Sequence, residues 1–491
     1  MRSKVILFNI TSILVMLSGF ISCRDPNGSG AANPFREFVE SPFAPLFGRK
    51  RLRRILLGNF LLLSLILFST CPSIIINNTS DNDLNYDESD YIIPIIWKSD
   101  VSRPFVSRIT SDEEGIYIYN FQKNDFTTVR LNKVDSETGK TVWSTGYFNE
   151  VNLYPPIIKG NYIYAFLEDN IILCFDKTDG SMLTQVKIVY NNENMRVTSG
   201  YYEYGNYFYF GFGNIITSSD YYLARINIDL FAKSVDSNIQ LLEPEIIWQS
   251  RFIGRIHSRP IVYNDVVYCN TITFDPGIPV ELAGIDINTK KEVFYDSIGG
   301  DRDYIYDRGS GRYSLFVKDD ILHYLSMSIA AYDIKNYNKL YHILFYNDTP
   351  RDKNYGASWF LNATFYKNNI YYTTRASNIF GEKDTRNIFC INAINGSLVW
   401  SAIPKISESL GTNPVIYDNK VFIPHMNGVR VYNADTGKLL GVEKRIEGSA
   451  GCFNQLFGSI MITVEDSAEY PDGQVIALDL SRGGVITDGK L

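Results

Sequence analysis

The chain has little of what catalytic and metal-holding proteins of its size display. Its 491 residues include only six cysteines and four histidines. No two cysteines are adjacent, none forms Cys-x-x-Cys, and no two histidines stand at a metal-ligand spacing. It therefore reads neither as a disulfide scaffold nor as an evident metal protein. A long helical period is missing after residue 92. Positive charge is scarce beyond the N-terminus: nine of the 47 basic and three of the 54 acidic groups fall in residues 1–70, leaving 38 against 51, a net of −13. Such a surface repels phosphate backbones and argues against a nucleic-acid partner. What the chain has is 45% hydrophobic and 21% charged residues, a globular balance that excludes a disordered or collagen-like polymer. It also has 34 Tyr and 30 Phe, residues that favour strands.

Two apolar runs stand at the start, Val5–Ile21 behind Arg2 and Lys4, and Ile55–Phe68 behind Arg49–Arg54. Each has a basic flank, an apolar stretch and a small-residue boundary, the layout of a signal peptide. Each ends in a cysteine, Cys23 or Cys71, and so resembles a bacterial lipoprotein signal, with Phe20 and Phe68 in place of the usual leucine. Cleavage before Cys23 would export the basic Arg49–Arg54 stretch, against the positive-inside tendency. Cys71 is therefore the expected lipidation site and Cys23 the second choice. The alternative is an uncleaved anchor at 55–70, short for a span. Residues 1–70 are thus expected to be leader and signal or anchor segments, and 71–91 an acidic tether. Asp81, Asp83, Asn85 and Asp87 alternate as in a calcium loop, but Tyr86 stands where that loop needs glycine.

From residue 92 one unit repeats. Its clearest copies are Asp135-Ser-Glu-Thr-Gly139-Lys-Thr-Val-Trp143 and Asn392-Ala-Ile-Asn-Gly396-Ser-Leu-Val-Trp400, with close matches at Asp176–Gly180 and Asn433–Gly437. Weaker copies begin at Asn227, Asp286, Asp333 and Asp479, with Lys290 where Gly is expected in the Asp286 copy. The steps between the eight positions are 41, 51, 59, 47, 59, 41 and 46 residues, near the period of four-stranded propeller blades. A hairpin signal of Gly, Asn or Asp repeats in phase, from Gly115 and Gly160-Asn161 through Asn264-Asp265 to Asn368-Asn369, Asn419-Lys420 and Gly458-Ser459. The strands after these turns, such as Ile116–Tyr119, read as alternating and half-buried. The last unit lacks its final strand, while Ile95-Ile-Trp97-Lys-Ser99 opens the array with no strands before it. The first strand should complete the last blade and remove both free sheet edges.

These units resemble the eight-bladed propellers with pyrroloquinoline-quinone-like repeats. The resemblance implies an all-β ring over 92–484 with a short tail at 485–491. It implies that the outer-strand tryptophans, here Trp97, Trp143, Trp248 and Trp400, pack between blades, with Phe294 and Tyr341 substituting and Leu440 departing. The structural repeat residues are then these four with Asp135, Gly139, Asp176, Gly180, Gly396 and Gly437.

The family divides into quinone- and calcium-dependent dehydrogenases and cofactor-free propellers that present surfaces to partners in the cell envelope. No carboxylate, Arg and Trp set could be placed around one pocket, and Cys174, Cys269 and Cys390 lie in strands as small hydrophobes. His323 and His425 fall in second strands. The expectation is a monomeric, membrane-tethered extracytoplasmic scaffold, periplasmic or at the cell surface. It would bind protein partners and have no catalytic residues, metal or cofactor. The alternatives are a quinone-dependent alcohol or sugar dehydrogenase and a carbohydrate- or surface-ligand-binding propeller. Insertions at Gly213–Tyr221, Thr271–Glu281, Ser377–Arg386 and Glu465–Gly473, with links at Gly299–Gly311 and Asn347–Gly356, should gather on one rim. Tyr221, Phe274, Phe380 and Tyr470 are its candidate exposed anchors.

Overall fold

The computed structural model describes residues 73–75 and 90–485, apart from 103, 123–124, 150–154, 168, 191–194, 215–219, 232–238, 252–253, 257, 273–279, 299–314, 326–327, 345–357, 361–362, 377–387, 403–412, 426–427, 447–453 and 466–472. Both signal-like runs, Cys23 and Cys71 lie outside the described residues, as do Phe274, Phe380 and Tyr470. No described helix is long and apolar enough to cross a membrane.

The described residues form eight antiparallel sheets of the same plan. Blade one runs through Pro104–Asp112, Gly115–Gln122, Asp125–Val134 and Thr141–Ser144. Six further blades follow over 157–188, 195–249, 255–298, 315–344, 358–402 and 415–443. Blade eight takes Gln455–Phe457, Ile460–Glu465 and Gln474–Asp479 from the end of the chain and Ile95–Ser102 from its beginning, with Ile95 opposite Leu478 and Trp97 opposite Ala477. The expected closing strand is therefore present. A second pairing, Tyr91 with Val485 and Ile92 with Gly484, reinforces it.

The tight turns follow from left-handed backbone at Gly160, Gly205, Asn264, Asp265, Asp319 and Asp320, residues that tolerate positive φ. In blades six and seven the turn falls one residue earlier than expected. There Lys367, and then Asp418 and Asn419, take the positive φ.

Half-burial of the second strands is corrected by the structure. Ile116, Tyr117, Ile118 and Tyr119 are all fully buried, because a blade in a ring is covered on both faces by its neighbours. Among the described residues three outer strands have their free edge partly covered. Gln240–Leu242, from an insertion in blade three, pairs in parallel with blade two. Ser73–Ile75 pairs with blade five, and Asp90 bridges to Val442 of blade seven.

Candidate functional site

The repeat residues build the seams between blades. In each clear copy the Asp or Asn side chain caps its own turn. Asp135 Oδ1 accepts the amides of Glu137 (3.1 Å) and Thr138 (2.7 Å), and Asn433 does the same for Asp435 and Thr436. The Thr138 hydroxyl and amide hold the Asp135 carboxyl below its usual range. The turn glycine then lies flat under an aromatic ring from the preceding blade. A Cβ on Gly139 would stand 2.5 Å from Trp97, one on Gly180 2.5 Å from Trp143, and one on Gly437 2.5 Å from Trp400. Each indole N–H donates to the carbonyl of the residue after the capping side chain: Trp97 to Ser136 (2.9 Å), Trp143 to Lys177 (3.2 Å) and Trp400 to Ala434 (2.7 Å). Tyr341 reproduces the bond with its hydroxyl, to Ala393 at 3.1 Å, over Gly396. Phe294 has no donor and stacks instead on Tyr337, 5.2 Å away at 20°.

Two expectations at the seams need correction. Trp248 still packs at the seam with blade four, but it pairs with Leu223 and its indole donates to Glu292 (3.2 Å) rather than to the turn, since the link from Asn227 to Glu245 is longer than the tight turn of the other copies. The carbonyl that it would have met, Ile287, receives Arg225 at 3.4 Å. In blade seven the aromatic position is Gly441, opposite Val431, rather than Leu440. The ring missing there comes from outside the repeats. Tyr91, 2% exposed, packs over Gly483, whose Cβ would lie 3.0 Å from the Tyr91 ring. No repeat-based reading points to Tyr91, since it precedes the array.

Both faces of the ring carry bonds between blades, and on the rim Asn170 of blade two accepts the Val197 amide of blade three (2.8 Å). On the face of the tight turns, neighbouring blades are pinned to one another: Lys159 to Glu203 (2.6 Å), Tyr204 to Asp265 (3.0 Å), Tyr263 to Asp320 (2.7 Å) and Lys367 to Asn419 (2.9 Å). Lys177 closes another seam on Asp112 (3.1 Å) and Glu114 (2.6 Å). On the opposite face, second strands end at Asn214, Ile272, Ala376 and Glu465, and third strands resume at Tyr221, Val280, Ile388 and Gln474. Outer strands of blades four and five end there too, at Ile298 and Leu344. Strand direction reverses at each step, so all these ends share one rim.

Tyr221 is not an exposed anchor. It is 5% exposed and lies opposite Gly213, where a Cβ would meet its ring at 2.1 Å. A glycine partner leaves room for the ring to lie on the sheet.

A cavity of about 370 Å³ opens against the inner strands of blades one to four, lined by Asp112, Pro156, Ile157, Phe166, Tyr201 and Arg259 among others. Phe166 and Tyr201 stack at 4.0 Å and 17°, and the buried Tyr201 hydroxyl makes no hydrogen bond. Asp112, the carboxylate of this wall, is held by Lys177.

Calcium with a quinone needs several converging oxygen donors. Among the described residues no group of three His, Cys, Asp or Glu side chains could hold a metal ion. Cys174, Cys269 and Cys390 are buried and stand outside any disulfide, one in each of three blades. Burial pushes the Cys269 thiol up, and the Cys390 thiol up to about 12, so neither is poised as a nucleophile.

Fold and seams together define an eight-bladed β-propeller of the type with pyrroloquinoline-quinone-like repeats. It matches the crystal structure of BamB from Moraxella catarrhalis with a TM-score of 0.50 at 12% identity, over 80% of this chain and 98% of that one. It matches a europium-containing methanol dehydrogenase at 0.58 and 10% identity, over 79% and 93% of the two chains. The quinohemoprotein alcohol dehydrogenase from Comamonas testosteroni matches at 0.57 and 11% identity, over 80% and 77%. At such identities the likeness is one of fold, shared by a dehydrogenase and by a protein of a different name and kind. No family model and no curated protein matches the sequence.

Proposed function

We propose that the chain is a non-catalytic, membrane-tethered extracytoplasmic propeller, anchored through Cys71 or, failing that, Cys23, and that it binds protein partners through its loop rim in envelope or outer-membrane protein assembly. The observation that carries this reading is the grouping of the loops: the four longest second-to-third-strand insertions and two long blade links leave the ring on one rim. A rigid ring beneath lengthened loops is a usual plan for a binding surface. With Tyr221 buried, Phe274, Phe380 and Tyr470 remain as the anchor candidates.

The test is cross-linking in intact membranes with the three replaced together by alanine. Partner capture should fall at least tenfold, and replacement of Asn161 and Asn206 on the turn face should leave it unchanged. The reverse pattern would overturn the choice of face. A second reading, a quinone-dependent dehydrogenase, draws on the likeness to the methanol dehydrogenase. Dye reduction with alcohol or glucose, after adding pyrroloquinoline quinone and calcium, would favour it.

A further inference from the structure

The seam between blades five and six differs from those closed by tryptophan. Its plug is Tyr341, and behind Tyr341 lies a histidine. His323, on the second strand of blade five (Ile321–Leu325), is fully buried, with its Nδ1 3.3 Å from the Tyr341 hydroxyl. The single proton of that hydroxyl is directed to the Ala393 carbonyl of blade six, at 3.1 Å. Tyr341 oxygen is therefore the acceptor and His323 Nδ1–H the donor, which leaves Nε2 as the bare nitrogen. Nε2 is buried and has no hydrogen-bond partner.

Among the described residues its surroundings offer no acceptor to a second proton. The Phe365 ring of blade six lies 5.0 Å from the imidazole, and Phe316 and Ala331 are its cross-strand neighbours. Lys318, at the end of the first strand, stands over the other side of the problem: its ammonium is 5.8 Å from the same Phe365 ring and donates to the Lys367 carbonyl of blade six. Blade six also presents the buried Tyr372, which bears on Tyr341. Among the described residues no carboxylate acts on the ring, and burial with the Lys318 charge pushes its pKa down to about 3.

We propose that the seam between blades five and six is an acid-sensitive joint, in which protonation of His323 requires the two blades to part. An imidazolium at this place would bury an N–H without an acceptor and a charge without a counter-ion. Parting the blades gives Nε2 water and returns the ring to an ordinary histidine. The sign follows from linkage. The open state takes up the proton below about pH 6.5 and the closed state only near 3, so the open population grows as pH falls between those values. The limiting slope is about tenfold per pH unit.

The experiment is hydrogen exchange of the full chain at about pH 7.5, 5.5 and 4.5, corrected for intrinsic rates. Segments 321–325, 339–344, 364–373 and 388–393 should lose protection by up to about tenfold per pH unit below 6.5. The Trp400 seam, read at 429–434, should not. H323F should remove the loss in the blade-six segments 364–373 and 388–393, and H342Q should keep it there. Equal loss at both seams, or an unchanged slope in H323F, would overturn the proposal. If H323F does not fold, histidine NMR of the native chain decides. His323 should remain neutral, protonated at Nδ1, below pH 5, and a folded-state titration near 6.5 would overturn it.

Discussion

A glycine in left-handed backbone under an aromatic ring answers two demands at once. At Gly437, φ is +69° and a Cβ would stand 2.5 Å from the Trp400 indole. At Gly160, φ is +57° but nothing lies within 4 Å. Alanine at 160 should therefore cost only the left-handed conformation, about 1 kcal/mol. Alanine at 437 adds overpacking of a buried tryptophan, for a total of about 3 kcal/mol. Denaturant midpoints of the two variants check the difference, and equal shifts would mean that the ring-over-glycine contact carries no weight. Lys290 and Tyr337 show the same positive φ without glycine. The sequence marks Lys290 as a departure, yet the backbone there keeps the repeat's conformation, because the turn is set by hydrogen bonds on Asp286 rather than by the fifth residue. The carboxyl of Asp286 is held below its usual range by the amide and hydroxyl of Thr289.

Among elements, the segment before the first blade does more than lead into it. Tyr91 fills the seam that blade seven leaves open at Gly441, with its ring edge-on to Phe422 at 6.4 Å. Ile93 donates its amide to Glu443 at 2.7 Å, and Arg445 holds the same buried carboxylate. Burial pushes the Tyr91 hydroxyl up to about 12. Tyr91→Ala should remove a buried aromatic and leave a cavity in the closing seam, at about 3 kcal/mol. Thermal unfolding checks it. A shift no larger than that of an exposed substitution such as Val142→Ala would show that the seam closes without the ring. Blade three illustrates the opposite case, in which an insertion alters its own blade. The long link from Asn227 to Glu245 leaves Trp248 on Glu292 rather than on the turn of blade four, and its Gln240–Leu242 pairs with the edge of blade two.

The whole molecule is closed by pairing its two ends. Without Ile95–Ser102, blade eight would be a three-stranded sheet with Gln474–Asp479 as an open edge. A chain lacking residues 90–102 should aggregate, as free edges invite pairing with other chains, and light scattering of the refolded protein would read it. A monodisperse truncated ring would mean that closure is not needed. The closing strand was legible because Ile95-Ile-Trp97 copies the end of another unit while standing outside any complete one. Tyr91 was not legible, because it works like a repeat residue but carries no repeat around it. Of the proposed rim, the positions of the strand ends could be read from strand order. The burial of Tyr221 could not, since it depends on Gly213 across the sheet.

The sequence by itself determined the number of blades, their turns and the strand that joins the ends. Those features are written in local chemistry: a capping Asp or Asn, a residue tolerant of positive φ, an aromatic at fixed spacing. Only the tertiary structure decided which ring meets which glycine, that Arg225 and Tyr91 stand in where tryptophan bonds elsewhere or is absent, and that His323 is sealed with one bare nitrogen. These are contacts between blades, set by the distance of the seam rather than by distance along the chain. A buried group's chemistry depends on what faces it, and in a ring what faces it belongs to the next repeat.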